Sequence, residues 1–71
     1  MTEDQIFECS PDVVSGALVF AGTRIPVDVL FENLAGGASL DEILEDFPAI
    51  GRERAEAAIR IAAERLHREA A

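Results

Sequence analysis

The spacing of apolar residues along the chain changes near residue 26. Before this point, two short runs, IFEC at 6–9 and ALVF at 17–20, are β-compatible and are separated by turn-forming residues at 11–16. Two strands of about four residues are not stable alone in water. We therefore expect an N-terminal β arm over residues 1–25 that pairs with itself and lies on a helical body or against a second copy.

After residue 26 the apolar spacing becomes that of amphipathic helices. Pro26 suits the first turn of a helix, which Gly36 and Gly37 are expected to end in the left-handed conformation. Ser39 and Glu42 have the spacing of a capping box, which predicts a second helix that stops at Pro48. The predicted buried stripes of these two helices are Val27, Leu30, Phe31 and Leu34, then Leu40, Ile43, Leu44 and Phe47.

A third and longer helix is predicted from residue 51 to about 68. Its expected buried stripe is Ala55, Ile59, Ala62 and Leu66, with Ala58 and Ala63 at the edges. The predicted fold is therefore mainly α: short N-terminal β-strands followed by a three-helix unit over 26–68 with the pattern of a helix-turn-helix. A chain of 71 residues fits a single domain over 1–71 with a modest core, so a partner that adds buried surface is also expected.

Charge divides the chain into two unequal parts. Residues 1–51 hold ten acidic side chains and one base, Arg24, whereas residues 52–71 hold five arginines and four acids. The net charge of −8 disfavours non-specific attraction to nucleic acid and suits a basic protein partner. A single cysteine, without a secretory n-region or a long apolar run, predicts a cytoplasmic protein with no membrane insertion.

Catalytic and cofactor chemistry find little support in the sequence. His67 is the only histidine and lies near the end of the chain, and Cys9 is far from it in sequence, so no metal set is formed. There is no nucleophile–base pairing and no phosphate-cradling glycine loop. We expect a protein that is not an enzyme and has no cofactor.

The stretch GTRIPV, at Gly22–Val27, carries a resemblance to a known family. Together with the helix pattern of residues 35–45 and the position of Pro48, it resembles the small bacterial proteins grouped as domain of unknown function 433, over residues 16 to about 64. The resemblance implies a homeodomain-like or winged-helix-like three-helix fold and, in many members, the role of an antitoxin. Such proteins neutralise a PIN-like ribonuclease toxin encoded beside them and are thought to repress their own operon.

Two surfaces are candidates for function. The predicted partner-binding surface comprises Arg24, Asp28, Glu32, Asp41 and Glu45, from an acidic body that suits a basic ribonuclease. Arg24 has an alternative structural explanation, which is an ion pair with a body carboxylate such as Asp28 or Glu32.

The predicted DNA contacts are Arg52 and Arg54, at the start of the last helix. Five i, i+4 ion pairs are expected along that helix, and Arg54 is the arginine without such a partner, so it ranks before Arg52. DNA binding by a chain of charge −8 needs a homodimer, expected through the N-terminal strands, or a basic partner. The alternatives to the antitoxin are a stand-alone DNA-binding regulator and an adaptor dimer with no DNA role.

Overall fold

The computed structural model describes residues 1–9 and 18–70, so the turn predicted at 11–16 lies outside the described residues. The chain is mainly helical with a small antiparallel sheet, as predicted. In chain order the elements over the described residues are α1 (Glu3–Ile6), β1 (Phe7–Cys9), β2 (Leu18–Phe20), α2 (Val27–Ala35), α3 (Leu40–Asp46) and α4 (Arg52–Ala70).

The one-turn helix α1 was not predicted, and Ile6, which was assigned to a strand, is its last residue. Its local signal is Thr2-x-x-Gln5: the Gln5 side chain accepts the Thr2 backbone N–H at 2.9 Å, as in a capping box. Glu3 and Asp4 occupy the first turn, where the helix dipole favours acidic residues. The turn brings Ile6 into the core, where it is 2% exposed.

The predicted pairing of the two strands is confirmed, over three residues each. Phe7 lies opposite Phe20 and Cys9 opposite Leu18 in antiparallel register, and the Phe7 and Phe20 ring centroids are 6.2 Å apart. The other edge of β2 is also occupied, because Val19 forms an isolated bridge with Pro26. The segment leading into α2 therefore returns along the sheet.

Helix α2 begins directly after Pro26 and buries Val27 and Leu30, as the apolar stripe predicts. Its C-terminal end differs in detail from the prediction, since Gly36 remains right-handed with φ −78°. Gly37, with φ 100°, is the left-handed residue that turns the chain.

The capping box of α3 is confirmed: the Glu42 N–H donates to Ser39 Oγ at 3.1 Å, and the Ser39 N–H donates to Glu42 Oε1 at 3.0 Å. Ile43 is the buried residue of this helix, and Phe47 closes it just before Pro48. Residues 47–51 join α3 to α4, and Gly51 enters α4 from a left-handed conformation with φ 78°.

The predicted buried stripe of α4 is right at its start and wrong at its end. Ala55 is fully buried, Ile59 and Ala62 are half-buried, and Leu66 is 70% exposed. Ala58, which was predicted at an edge, is 1% exposed. Leu66 is exposed because α4 is longer than the core beside it. Ile61 is the last residue of α4 packed against the core, and residues 62–70 extend the helix by about 13 Å beyond it.

One hydrophobic cluster joins the N-terminal arm to the helices. Ile6 of α1 and Phe20 of β2 lie in the same cluster as buried residues of α2, α3 and α4 and as Ile50 of the α3–α4 connection. The buried members are Ile6, Phe20, Val27, Leu30, Ile43, Ile50, Ala55 and Ala58. The two small residues from α4 allow that helix to lie close to the others.

Because Leu30 is fully buried in this cluster, we expect Leu30→Ala to lower the free energy of unfolding by about 2–5 kcal/mol. The matched control is Val29→Ala in the same helix, a half-buried position outside the cluster, with an expected change below about 1 kcal/mol. Urea unfolding followed by circular dichroism measures both. Equal effects of the two substitutions would contradict the placement of the core face of α2.

Candidate partner-binding surface

The GTRIPV stretch forms the joint between the sheet and α2. Phe20 O accepts both the N–H and the hydroxyl of Thr23, at 3.0 and 2.8 Å, and the Ile25 N–H donates to Thr23 Oγ1 at 3.1 Å. Gly22 takes φ 74° at the tip, where its N–H donates to Glu8 Oε1 at 2.7 Å. The Phe20 N–H closes the turn by donating to Ile25 O at 3.0 Å. The motif is therefore a hydrogen-bonded turn of defined shape.

Arg24 is exposed on this turn, three residues before the first residue of α2. Within the described residues it forms no ion pair, so the predicted structural alternative, a pair with Asp28 or Glu32, is not present. The two carboxylates are themselves exposed, at positions i and i+4 of α2, and therefore lie on one side of that helix. The turn therefore presents an exposed guanidinium, and α2 presents two exposed carboxylates.

Helix α3 adds a second row of acidic side chains. Asp41 and Glu45 are four residues apart and share a side of the helix, and both are exposed. Asp41 Oδ1 accepts a hydrogen bond from Arg52 Nη2, whereas Glu45 has no ion pair among the described residues. Glu42 is held by the capping box.

The two arginines at the start of α4 differ in their surroundings. Arg52 contacts Asp41 of α3 and also lies 3.6 Å from Glu56 of its own helix. Arg54 is half-buried, and its Nη1 lies 3.5 Å from the Ala49 carbonyl oxygen, with no carboxylate partner among the described residues. The sequence identified Arg54 as the arginine without an i, i+4 partner, but it could not reveal that Arg52 is bonded to α3.

Of the five ion pairs expected along α4, three are present: Arg52–Glu56, Arg60–Glu56 and Arg68–Glu64. Arg65 instead bonds to Glu3 of α1. That contact, between residues 62 positions apart in the chain, had no signal in the sequence. The basic side chains of α4 are thus largely matched with carboxylates, in contrast to the acidic ones of α2 and α3.

Hydrogen bonds and neighbouring charges shift two ionisable groups. The pKa of Glu42 is lowered because its carboxylate accepts the Ser39 backbone N–H, with a smaller contribution from the Ser39 side chain. The pKa of Arg52 is raised by its hydrogen bond to Asp41 and by the charge of that residue, with a lesser contribution from Glu56. Both groups stay charged at neutral pH.

Metal clusters and membrane-spanning helices are absent from the part of the chain that the structure describes. Residues 1–9 and 18–70 contain no group of three side chains suited to hold a metal ion. Within the same ranges, no helix is both long enough and apolar enough to cross a bilayer.

The chain belongs to a family described as protein of unknown function (DUF433), which it matches over residues 2–62. The match includes both strands, the GTRIPV turn, α2, α3 and the first half of α4. The resemblance seen in the sequence is thereby confirmed at the level of the family.

One relative is the uncharacterized protein y4eO of Sinorhizobium fredii (strain NBRC 101917 / NGR234), which is 36% identical over 50 residues. The alignment covers 70% of this chain and 23% of the relative, so the chain spans about a quarter of the relative's length. No solved structure matches the chain significantly.

We expect Ser39→Ala to lower the free energy of unfolding by about 1 kcal/mol, because the Glu42 N–H loses its acceptor. Ser39→Asp is the matched control, since aspartate also caps a helix and should keep most of the stability. The measurement is chemical unfolding of the three proteins at neutral pH.

The same substitution removes only the smaller, side-chain contribution, so the pKa of Glu42 should rise part of the way toward its ordinary value while the backbone N–H of residue 39 keeps it lowered. NMR of the carboxyl carbon follows this change. A lowered folded-state pKa stabilises the fold above the ordinary pKa, and that stabilisation disappears as the pH falls through the lowered value. Ser39→Ala should therefore reduce the acid-dependent loss of stability. An unchanged pKa of Glu42 would contradict the contribution assigned to the Ser39 side chain.

Proposed function

We propose that this chain is an antitoxin that binds and neutralises a PIN-like ribonuclease through the acidic surface of α2 and α3. The observation that carries the proposal is that Asp28, Glu32 and Glu45 are exposed and form no ion pair among the described residues. Carboxylates that the fold itself leaves unmatched are available to a basic partner. Ribonucleases that bind a polyanion present such basic surfaces.

The remaining members of the predicted surface fit this role in different ways. Asp41 extends the acidic row of α3 and also orients Arg52, so it contributes charge while tying α3 to α4. Arg24, exposed on the GTRIPV turn, supplies the guanidinium that would meet an acidic group of the toxin. The net charge of −8 increases the association rate with a basic partner and favours correct orientation during encounter.

We further propose that α2, α3 and α4 act as a helix-turn-helix unit with which the antitoxin represses its own operon. Supporting this, α3 and α4 are joined by the short connection 47–51 with a left-handed glycine, and the longer helix follows the turn. Arg54 at the start of α4 has no competing carboxylate among the described residues. A bound basic toxin would offset the charge that otherwise repels DNA.

As an antitoxin, this chain would act in the cytoplasm without a cofactor and without catalysing a reaction. A stand-alone regulator would keep the DNA contact of Arg54 but have no toxin. An adaptor dimer would have neither the DNA contact nor the toxin partner. Measuring toxin binding and DNA binding separately distinguishes the antitoxin, the stand-alone regulator and the adaptor dimer.

The first experiment is co-expression with the product of the adjacent gene, scored by co-purification and growth rescue. We expect the wild-type chain to form a complex and to suppress toxicity, and the double variant Asp28→Lys, Glu32→Lys to bind at least about tenfold more weakly, because like charges then face each other. The control double variant Glu53→Lys, Glu69→Lys makes the same change in net charge on α4. It should retain binding.

Equal losses in both double variants would show that net charge alone, and not the α2 face, drives the association. Absence of a complex with the wild-type chain would refute the antitoxin proposal. The salt dependence of the complex provides an independent check, since an interface led by exposed charges weakens as ionic strength rises.

The second experiment measures binding to the chain's own promoter DNA by fluorescence anisotropy, with the toxin present. Arg54→Ala should cost about 1–3 kcal/mol of binding free energy and reduce the salt slope by about one. Arg60→Ala is the control, because Arg60 is exposed further along α4 and pairs with Glu56 at 3.8 Å. Identical losses for the two variants would remove the reason to place the start of α4 on DNA.

A further inference from the structure

An open apolar cavity lies where the sheet, α2 and α4 meet. Its volume is about 240 Å³, and its walls are mainly apolar side chains from these elements: Phe7, Leu18, Val27, Phe31, Ile61 and Ala62. Leu18, on the β2 wall, is 45% exposed. The volume is below the roughly 300–1,000 Å³ usual for small-molecule pockets, which favours an inserted side chain over a cofactor.

The cavity is continuous with the acidic side of α2. Leu30 is buried in the core, Phe31 lines the cavity and Glu32 is exposed. Each of these successive residues is about 100° further around the helix, so the cavity lies between the core and the acidic side. Val27 and Asp28 repeat this order one turn earlier, because Val27 lines the cavity and Asp28 is exposed. A protein that docks on the exposed carboxylates of α2 therefore also reaches the cavity.

Acidic side chains border the cavity on the side of the N-terminal arm as well. A neighbouring hollow shares the residues Phe7, Leu18 and Arg65 with the cavity and is also lined by Glu3, Asp4 and Glu8. Arg65 is the base of this hollow, and it is bonded to Glu3. Asp4 and Glu8 form no ion pair with a described residue. The unmatched charge on this side is therefore negative, as it is on α2.

We propose that the cavity receives an apolar side chain of the basic toxin, and that arginine or lysine side chains next to it meet the carboxylates on either side. This inference rests on the proposed antitoxin function and assigns the apolar centre of that interface. Protein interfaces commonly combine a desolvated apolar centre with a polar rim, and a few anchors at the centre supply most of the binding energy. The carboxylates orient the partner during encounter, and the inserted side chain slows dissociation.

The same charges disfavour a second copy of this chain as the occupant. The net charge is −8, so two copies repel each other when their acidic sides approach. Four of the five arginines of α4 already contact a carboxylate of their own chain, which leaves few cations for the borders of another copy's cavity. A protein with an excess of arginine and lysine supplies those cations.

The test fills the cavity without changing its charge. Ala62→Leu puts a larger apolar side chain into the α4 wall, where it occupies the space that the toxin side chain requires. Ala63→Leu is the matched control, because Ala63 is exposed and lies about 100° further around the helix. In titration calorimetry with the product of the adjacent gene, we expect Ala62→Leu to raise Kd at least about tenfold and Ala63→Leu to leave it unchanged.

A second pair of substitutions tests the opposite wall. Leu18→Ala removes an apolar side chain from the β2 wall, and Leu66→Ala makes the same change at a 70% exposed position that does not line the cavity. Leu18→Ala should weaken the complex, and Leu66→Ala should not. Circular dichroism and Tm establish that each variant is folded. If Ala62→Leu does not fold, the comparison of the two leucine variants decides the question.

Salt distinguishes the apolar contribution from the charged one. Ala62→Leu leaves every charge in place, so it should weaken the complex by the same factor at low and high ionic strength. The double variant Asp28→Lys, Glu32→Lys removes carboxylates of the border, so its effect should shrink as ionic strength rises. An effect of Ala62→Leu that disappears at high salt would contradict an apolar contact in the cavity.

The cavity inference and the antitoxin proposal can fail separately. A complex in which folded Ala62→Leu and Leu18→Ala bind as tightly as the wild type would refute the role of the cavity and leave the antitoxin proposal standing. Absence of any complex would refute both. If the isolated chain dimerises in sedimentation equilibrium and Ala62→Leu abolishes the dimer, the cavity belongs to a second copy and the inference is overturned.

Discussion

The structure depends on one small hydrophobic core to which every helix must contribute. Ile6, Leu30, Ile43 and Ala55 come from four different helices and are all buried together. Helices α1, α2 and α3 have nine residues or fewer, so none of these three would be stable in water alone. The arm and the helices are thus mutually dependent, and a substitution at the core of one element affects all of them.

The GTRIPV turn is where the sheet and the helices are connected. Its hydrogen bonds use Thr23 and the backbone of Phe20 and Ile25, so the motif is explained first by the shape of the chain. Gly22 takes a left-handed conformation at its tip, which a side chain would strain. Arg24 is different, because it is exposed and contributes no ion pair to the described fold. Arg24 is therefore the residue of the motif that we expect to act by binding a partner.

Most arginines form an ion pair with a carboxylate, whereas many of the acidic side chains form no ion pair among the described residues. Arg52, Arg60, Arg65 and Arg68 each contact a carboxylate, while Arg54 is without one among the described residues. Exposed ion pairs of this kind add little stability, and their main effect is to decide which charges remain for a partner. The exposed carboxylates of α2 and α3 and the exposed Leu66 of α4 lie on different elements.

The sequence by itself determined the features that depend on neighbours a few residues away. These include the start of α2 after Pro26, the Ser39 capping box, the left-handed turn at Gly37 and the segregation of charge. Capping and helix periodicity act over i to i+4, so a linear reading contains the information needed.

Only the tertiary structure decided where the core ends and which distant charges meet. It buried Ile6, left Leu66 exposed, and joined Arg52 to Asp41 and Arg65 to Glu3. Periodicity shows which side of a helix faces inward but not how far the neighbouring elements extend along it. Contacts between separate elements depend on their relative placement, which is set by packing of the whole chain rather than by any local pattern.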